Sequence, residues 1–178
     1  MPTAPFVEFV KLFSFDDGSG REYDVHAAHW TARSFLLQDD SPVTFGMSSP
    51  ATPTPYDQIG GDAGVRRLVD RFYDLIDSSA EAATIRALHA SSLKASRDKL
   101  HLYLSYWTGG PQTYVERNGH PRLRARHLPF TIGARERDEW LWAMDRALDE
   151  HDMPDTLRTQ LRERFHSLAD HMRNQPHD

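Results

Sequence analysis

Downstream of residue 55, apolar residues recur with the spacing of amphipathic α-helices. The clearest series forms one broad face of a predicted helix and consists of Val65, Leu68, Val69, Phe72, Tyr73 and Ile76. Ahead of it, the Gly60-Gly61 pair favours a tight turn, because glycine adopts backbone conformations that other residues avoid. This region is therefore predicted to begin with a short helix over residues 56–59, a turn and a long helix.

Further apolar series predict three more helices. One of them carries the apolar residues Leu93, Leu100, Tyr103, Leu104 and Trp107. Ser91 or Ser92 is a plausible N-cap for this helix, and Gly109-Gly110-Pro111 is a strong helix terminator. The next helix is predicted over about residues 134–150, and the last one begins near Pro154. No segment longer than four residues alternates convincingly beyond residue 55, so this part of the chain is predicted to be all-α.

Residues 112–133 interrupt the helical pattern. They are polar and contain Gly119, Pro121, Pro129 and Gly133, which makes the segment too broken for one long helix. Long irregular connections in compact domains tend to be functional. This basic, histidine-bearing segment is therefore the first candidate for a site, although periodicity alone does not identify a ligand.

The chain divides at a proline-rich connector. Residues 48–55 contain three prolines among small polar residues, a composition typical of stiff, extended linkers. The preceding residues 1–47 hold three Lys or Arg and seven Asp or Glu. His26 and His29 would share one face of a helix there, but two histidines without a third ligand do not favour a metal site. We predict an extension over residues 1–53, which is partly disordered or docks through its Phe-rich start, and a folded domain over residues 54–178.

Composition excludes several classes of protein. The chain has 178 residues, no cysteine and a net charge of −5. It therefore has no disulfide framework and no thiolate ligands, and it lacks the basic surface typical of nucleic-acid binding. Its apolar runs are shorter than the roughly 18 residues of a membrane span, and its N-terminus lacks a basic segment typical of secretory signals. These features predict a cytoplasmic protein that binds neither nucleic acid nor membranes.

Short motifs in the second part of the chain carry a family resemblance. They are Gly60-Gly61, Arg71-Phe-Tyr73, Ala87-Leu-His89, Ser96-Arg-Asp-Lys-Leu100, Trp107 with Gly109-Gly-Pro111, Gly119-His-Pro-Arg-Leu-Arg-Ala-Arg-His-Leu-Pro-Phe130 and Glu136-Arg-Asp-Glu-Trp140. In this order and at this spacing, they make residues 54–175 resemble the group II truncated haemoglobins. The resemblance implies an all-α truncated globin fold, a two-over-two sandwich of α-helices around one haem. It also implies that a long loop replaces most of the proximal helix.

The resemblance assigns the cofactor side of the site. It implies haem b as the cofactor and His127 as the axial ligand of the iron, and we expect the second ring nitrogen of His127 to donate to a backbone carbonyl. Lys99 and Arg126 are candidates to pair with the haem propionates; the alternative is that both are solvated surface charges. Leu100 should supply an apolar wall over the iron, and Phe130 should pack in the haem pocket.

The resemblance also assigns the side of the haem on which a gas binds. Tyr73, Trp140 and His89 are the expected hydrogen-bond donors to the ligand, and three such bonds should slow O2 release about a hundredfold. His89 is expected to enter the same space, although an ungapped alignment would put Leu88 there. Ser96 occupies the position at which many globins have a gating histidine, and a small residue there should open a short route for ligands.

Three hypotheses for function follow. In the first, the protein binds O2 reversibly and releases it slowly, with CO, NO and peroxide as further ligands. In the second, the haem is a redox centre, a peroxidase or nitric oxide dioxygenase, which would need an external reductase because the chain has no flavin or nicotinamide fingerprint. In the third, the domain is a helical interaction module without haem. The sequence leaves the question of enzymatic activity and the oligomeric state open.

Overall fold

The computed structural model describes residues 52–175, and every regular element in this part of the chain is helical. The elements are α1 (Pro55–Ile59), α2 (Gly61–Ser78), a 3₁₀ turn (Ala80–Ala82), α3 (Ala83–Ala87), α4 (Lys94–Trp107), α5 (Thr113–Asn118), α6 (Leu123–His127), α7 (Ala134–Glu150) and α8 (Asp155–Met172). The all-α prediction is therefore confirmed for residues 52–175. The predictions on the Phe-rich start and on His26 and His29 lie outside the described residues.

Two helix pairs form the body of the domain. Helix α2 packs against α4 and α7, and α7 packs in turn against α8. The apolar face predicted for α2 is buried in this contact, with Val65, Val69 and Ile76 fully inaccessible to solvent. Met144 and Leu148 of α7 are fully buried in the same core. Burial of these side chains, rather than the propensity of any one helix, is the main source of helix stability in such a fold.

The turn between α1 and α2 needs glycine for two different reasons. Gly60 has a φ of 102°, in the left-handed region that other residues rarely adopt. A Cβ atom at Gly64 would lie 2.0 Å from the carbonyl oxygen of Ile59, so the two helices can approach this closely only with glycine there. Nε2 of the buried His151 donates to the same carbonyl at 2.9 Å, which ties the end of α7 to this turn.

The predicted serine cap of α4 is wrong. Leu93 occupies the N-cap position and makes no side-chain capping hydrogen bond. The Ser92 hydroxyl accepts only a long hydrogen bond of 3.4 Å from the amide of Lys94. The reason is tertiary packing, since Leu93 is buried in the core and its backbone is already helical.

The broken segment 112–133 contains two short helices, α5 and α6, instead of one long one. Gly119, with a φ of 66°, follows α5 and begins the connection to α6. We call residues 119–133 the His127 loop. No helix within residues 52–175 combines the length and apolar character needed to cross a membrane.

Candidate functional site

A cavity of about 230 Å³ lies between the helices and the His127 loop. Its walls are mainly apolar, with a small number of polar groups among them, as in most small-molecule sites. Every site residue expected from the sequence lines it, namely His127, Lys99, Arg126, Phe130, Leu100, Tyr73, Trp140, His89 and Ser96. The structure thus brings together residues that are spread over almost 70 positions of sequence.

His127 is the last residue of α6, and its imidazole is oriented by its own helix. Nδ1 donates a hydrogen bond of 2.6 Å to the carbonyl of Leu123, one turn earlier. This is the backbone contact expected from the sequence. Since a carbonyl can only accept, Nδ1 carries the proton and Nε2 of the neutral ring has a free lone pair. Burial also lowers the pKa of His127, which favours the neutral form.

Tyr73 and Trp140 lie on α2 and α7, which we call the helical wall. The Phe72 ring packs 4.9 Å from Tyr73 and 5.2 Å from Trp140, between centroids, so it holds both in place. Phe165 of α8 supports Trp140 from another side at 5.7 Å. Burial raises the pKa of the Tyr73 phenol, which therefore keeps its proton at neutral pH.

The phenol of Tyr73 has a second hydroxyl beside it. The Ser96 side chain opposes the rise in the Tyr73 pKa, and the nearby guanidinium of Arg97 acts in the same direction. Oγ of Ser96 is buried and makes no hydrogen bond of normal geometry within residues 52–175.

His89 lines the cavity next to Tyr73, with ring centroids 5.7 Å apart in an edge-to-face arrangement. Its Nδ1 donates to the carbonyl of Ile85 at 2.8 Å, and burial, helped by the charge of Arg86, lowers its pKa. The ring is therefore neutral, and Nε2 can only accept a hydrogen bond. In this tautomer His89 would accept a hydrogen bond rather than donate one to a ligand. Leu88 lines the cavity as well, so the two alternatives are not exclusive.

Two cations lie at the polar edge of the cavity. Burial, together with the charge of Arg126, lowers the pKa of Lys99 to about 8. Nη2 of Arg126 donates to the carbonyl of Asn118 at 3.0 Å, which holds the guanidinium near the end of α5. The position favours an anionic group between the two side chains, because a carboxylate there would offset their mutual repulsion.

Several lining residues were not expected from the sequence. Phe165 and Met172 of α8 and Tyr114 of α5 all line the cavity. The apolar series on α8 identified its buried face, but no local signal indicates what that face packs against. Glu139 was also missed, although it does not line the cavity. Its carboxylate accepts a 2.8 Å hydrogen bond from the amide of Ile85 and so anchors the segment that carries His89.

One further histidine of the His127 loop and two further tryptophans do not line the cavity. His120 is exposed and accepts a hydrogen bond from the amide of Arg122 at 3.2 Å, as a residue that shapes the loop would. Trp142 packs beneath the guanidinium of Arg146, 5.4 Å from its ring centroid. Trp107 packs against Phe165 in the core. Residues 52–175 contain no cluster of three His, Cys, Asp or Glu side chains that could bind a metal ion by themselves.

Comparison with known proteins identifies the family. A model of the bacterial-like globins matches residues 54–174. The group 2 truncated haemoglobin YjbI of Bacillus subtilis is 37% identical over 121 residues, which are 68% of this chain and 89% of the relative.

Solved structures agree with that match. The group II 2-on-2 haemoglobin of Agrobacterium tumefaciens has 48% identity and a TM-score of 0.69, over 73% of this chain and all of the other. A cold-adapted truncated haemoglobin from Pseudoalteromonas haloplanktis has 40% identity and the same TM-score of 0.69, over 70% of this chain and 100% of that one. This chain therefore belongs to the bacterial-like globins and, within them, to the group II truncated haemoglobins.

Proposed function

We propose that this protein holds one haem b in the cavity, with His127 as the axial ligand, and binds O2 reversibly with slow release. Membership of the globin family implies haem as the cofactor and diatomic gases such as O2 as ligands. The assignment of His127 as the axial ligand rests chiefly on one observation. The Nδ1 proton of His127 is committed to the Leu123 carbonyl, which leaves a neutral, oriented Nε2 for the iron.

The composition of the cavity fits a haem in three ways. Its predominantly apolar lining suits a porphyrin ring. Lys99, whose pKa is lowered to about 8, and Arg126 would both gain from nearby propionate carboxylates. With no cysteine in the chain there is no thiol for covalent attachment, which supports haem b over a c-type haem.

The remaining polar residues fit a gas ligand. A haem supplies an iron atom with an open coordination position, at which a diatomic gas binds reversibly. The protonated Tyr73 phenol and the Trp140 indole are the two donors of the helical wall, and both line the cavity. His89 would not act as a donor beside them, because its Nδ1 proton is bound to the Ile85 carbonyl. Leu100 adds an apolar surface to the same cavity.

The number of hydrogen-bond donors determines how much the release of O2 is slowed. A hydrogen bond contributes roughly 1 kcal/mol, so two of them slow the release of O2 by about 30-fold relative to an apolar pocket. Three donors would give about a hundredfold, but His89 is not available as the third because its Nδ1 proton is held by Ile85. Slow release suits storage, sensing or scavenging better than bulk delivery.

Titration of the full chain with haemin tests the proposal. We expect a saturable Soret band at one haem per chain and, after reduction, reversible O2 binding. In His127→Gly, haem affinity should fall by more than about 100-fold, since even partners that only orient a metal ligand contribute 10–100-fold. Added imidazole should restore the spectrum. His120→Gly, the matched control in the same loop, should behave like the wild type, and an unchanged spectrum in His127→Gly without imidazole would refute the assignment.

A further inference from the structure

The side chain of Asn174, just beyond the end of α8, is hydrogen-bonded to three residues of the His127 loop. Nδ2 donates to the carbonyl of His127 at 3.1 Å and to that of Phe130 at 2.7 Å. Oδ1 accepts from the amide of Ile132 at 3.0 Å. One amide group therefore connects the two ends of the loop segment that follows the axial histidine.

The network fixes the orientation of the Asn174 amide. Both N–H groups face carbonyl oxygens and the oxygen faces N–H donors, so the flipped amide would set oxygen against oxygen. Nε2 of Gln175 donates to the remaining lone pair of Oδ1 at 3.2 Å. The side chain therefore uses its full hydrogen-bonding capacity of two donors and two accepted bonds. The Asn174 backbone amide adds a fifth contact, at 2.9 Å to the carbonyl of Ile132.

Helix α6 depends on such contacts because it has little stability of its own. It has five residues, none of them fully buried, and it has no side-chain cap at its start. One helical turn is unfavourable in isolation, since fixing its backbone costs more entropy than its few hydrogen bonds return. Apart from Asn174, Arg124 also anchors α6 to the C-terminal residues, through the carbonyls of His171 and Arg173.

We propose that Asn174 is a positioning residue for the axial histidine. Its two donated bonds hold the backbone of His127 and Phe130, so the imidazole, already oriented by Leu123, is also held at a fixed depth in the cavity. This inference rests on the proposed role of His127 as the ligand of haem. Loss of the two bonds should let α6 shift, weaken the axial bond and speed the loss of haem.

Asn174→Asp is the sharpest variant, because it keeps the shape of the side chain and the acceptor for Ile132 but removes both donors. Asn174→Ala removes the same donors without adding a charge, and it keeps the test open if the carboxylate variant does not fold. Gln175→Ala is the matched control, because the side chain of Gln175 is exposed and donates its hydrogen bond to Asn174 rather than to the backbone of His127 or Phe130. Measurements on the full chain are resonance Raman spectra of the iron–histidine stretch, transfer of haem to an acceptor globin, and hydrogen exchange of the haem-free protein.

We expect both Asn174 variants to shift and broaden the iron–histidine band, and to lose haem about tenfold faster, in the range typical of residues that orient a metal ligand. Exchange of the amides over residues 128–132 should rise in the haem-free protein too. Gln175→Ala should leave all three readouts at wild-type values. An unaltered band in both Asn174 variants, or equal effects of Gln175→Ala, would overturn the proposal. If the band survived in His127→Gly, the axial assignment itself would fail, which is a separate outcome.

Discussion

The helical wall and the His127 loop line the same cavity, but they are held in place by different means. Tyr73 and Trp140 lie on helices of 18 and 17 residues, whose apolar faces are buried in the core. His127 lies on a helix of five residues, none of which is fully buried. It is held instead by hydrogen bonds, one of them to a side chain 47 positions further along the chain.

The difference indicates how each region responds to substitution. On the helical wall, many packing contacts hold each side chain in place. Removing the Tyr73 hydroxyl should therefore remove a hydrogen-bond donor without moving the ring or its helix. On the loop, a few hydrogen bonds determine the position of the backbone, so the loss of one should move the imidazole of His127 itself. Hydrogen bonds that fix a short segment thus have a larger functional effect than their free energy suggests.

Replacing Tyr73 with Phe is the strongest test of the helical wall. The change deletes one donor and little volume, so we expect the O2 dissociation rate to rise about fivefold, the equivalent of roughly 1 kcal/mol. CO, which gains less from hydrogen bonds, should dissociate at nearly the wild-type rate. Stopped-flow ligand replacement measures both rates. Tyr106→Phe, a tyrosine that does not line the cavity, is the control.

Combination with Trp140→Phe and His89→Leu sharpens the same test. Trp140→Phe should also speed O2 release, and the double variant with Tyr73→Phe should be non-additive if both donors reach one ligand. His89→Leu should have the smaller effect, because Nε2 can only accept. Equal effects on CO and O2, or a His89→Leu effect larger than that of Tyr73→Phe, would mean that these residues act through packing.

Lys99 at the edge of the cavity gives a pH-dependent effect of moderate size. Its pKa is lowered to about 8 from the ordinary 10.5, so the charged side chain opposes folding below pH 8. This penalty disappears as the pH rises from about 8 to about 10.5. In the haem-free protein, Lys99→Met should therefore raise the melting temperature at pH 7, with a gain that shrinks across that range. Because Lys99 is only half-buried, solvent screening keeps the gain small.

The control for Lys99 is Lys94→Met on the same helix, where the ammonium group is highly exposed and paired with Asp98. It should bring no gain at pH 7. In the haem-loaded protein the sign should reverse, because Lys99→Met removes a cation proposed to pair with a propionate, and haem loss should accelerate. A melting temperature that is independent of the Lys99 substitution at every pH would contradict this account.

Deletion of residues 1–51 should have the smallest effect of all. The truncated protein keeps Thr54, whose hydroxyl and amide form a capping box with Asp57 at the start of α1. It also keeps the Pro53 carbonyl, which accepts a hydrogen bond from Gln58. We expect an unchanged Soret spectrum and an unchanged O2 release rate. A severalfold change in either would show that the extension takes part in the site and that the proposed division of the chain is wrong.

The sequence by itself determined the long helices and the family. The predicted bounds of 134–150 for α7 coincide with Ala134–Glu150 in the structure, because the apolar period of a helix is a local property of the chain. The motifs around Tyr73, His127 and Trp140 likewise identified the truncated haemoglobins, since each is short and contiguous. The short helices α3, α5 and α6 were not predicted. The predicted cap of α4 was wrong, because burial of Leu93 outweighed the local preference for serine.

Only the tertiary structure decided how the cavity groups are oriented. The carboxylate of Glu139, on α7, accepts a hydrogen bond from the amide of Ile85 and so holds the segment that carries His89. Asn174 reaches the loop only because α8 runs back past it, and an asparagine just beyond a helix gives no local sign of such a role. Hydrogen bonds between residues far apart in sequence depend on the path of the folded chain, which local patterns of polarity do not encode.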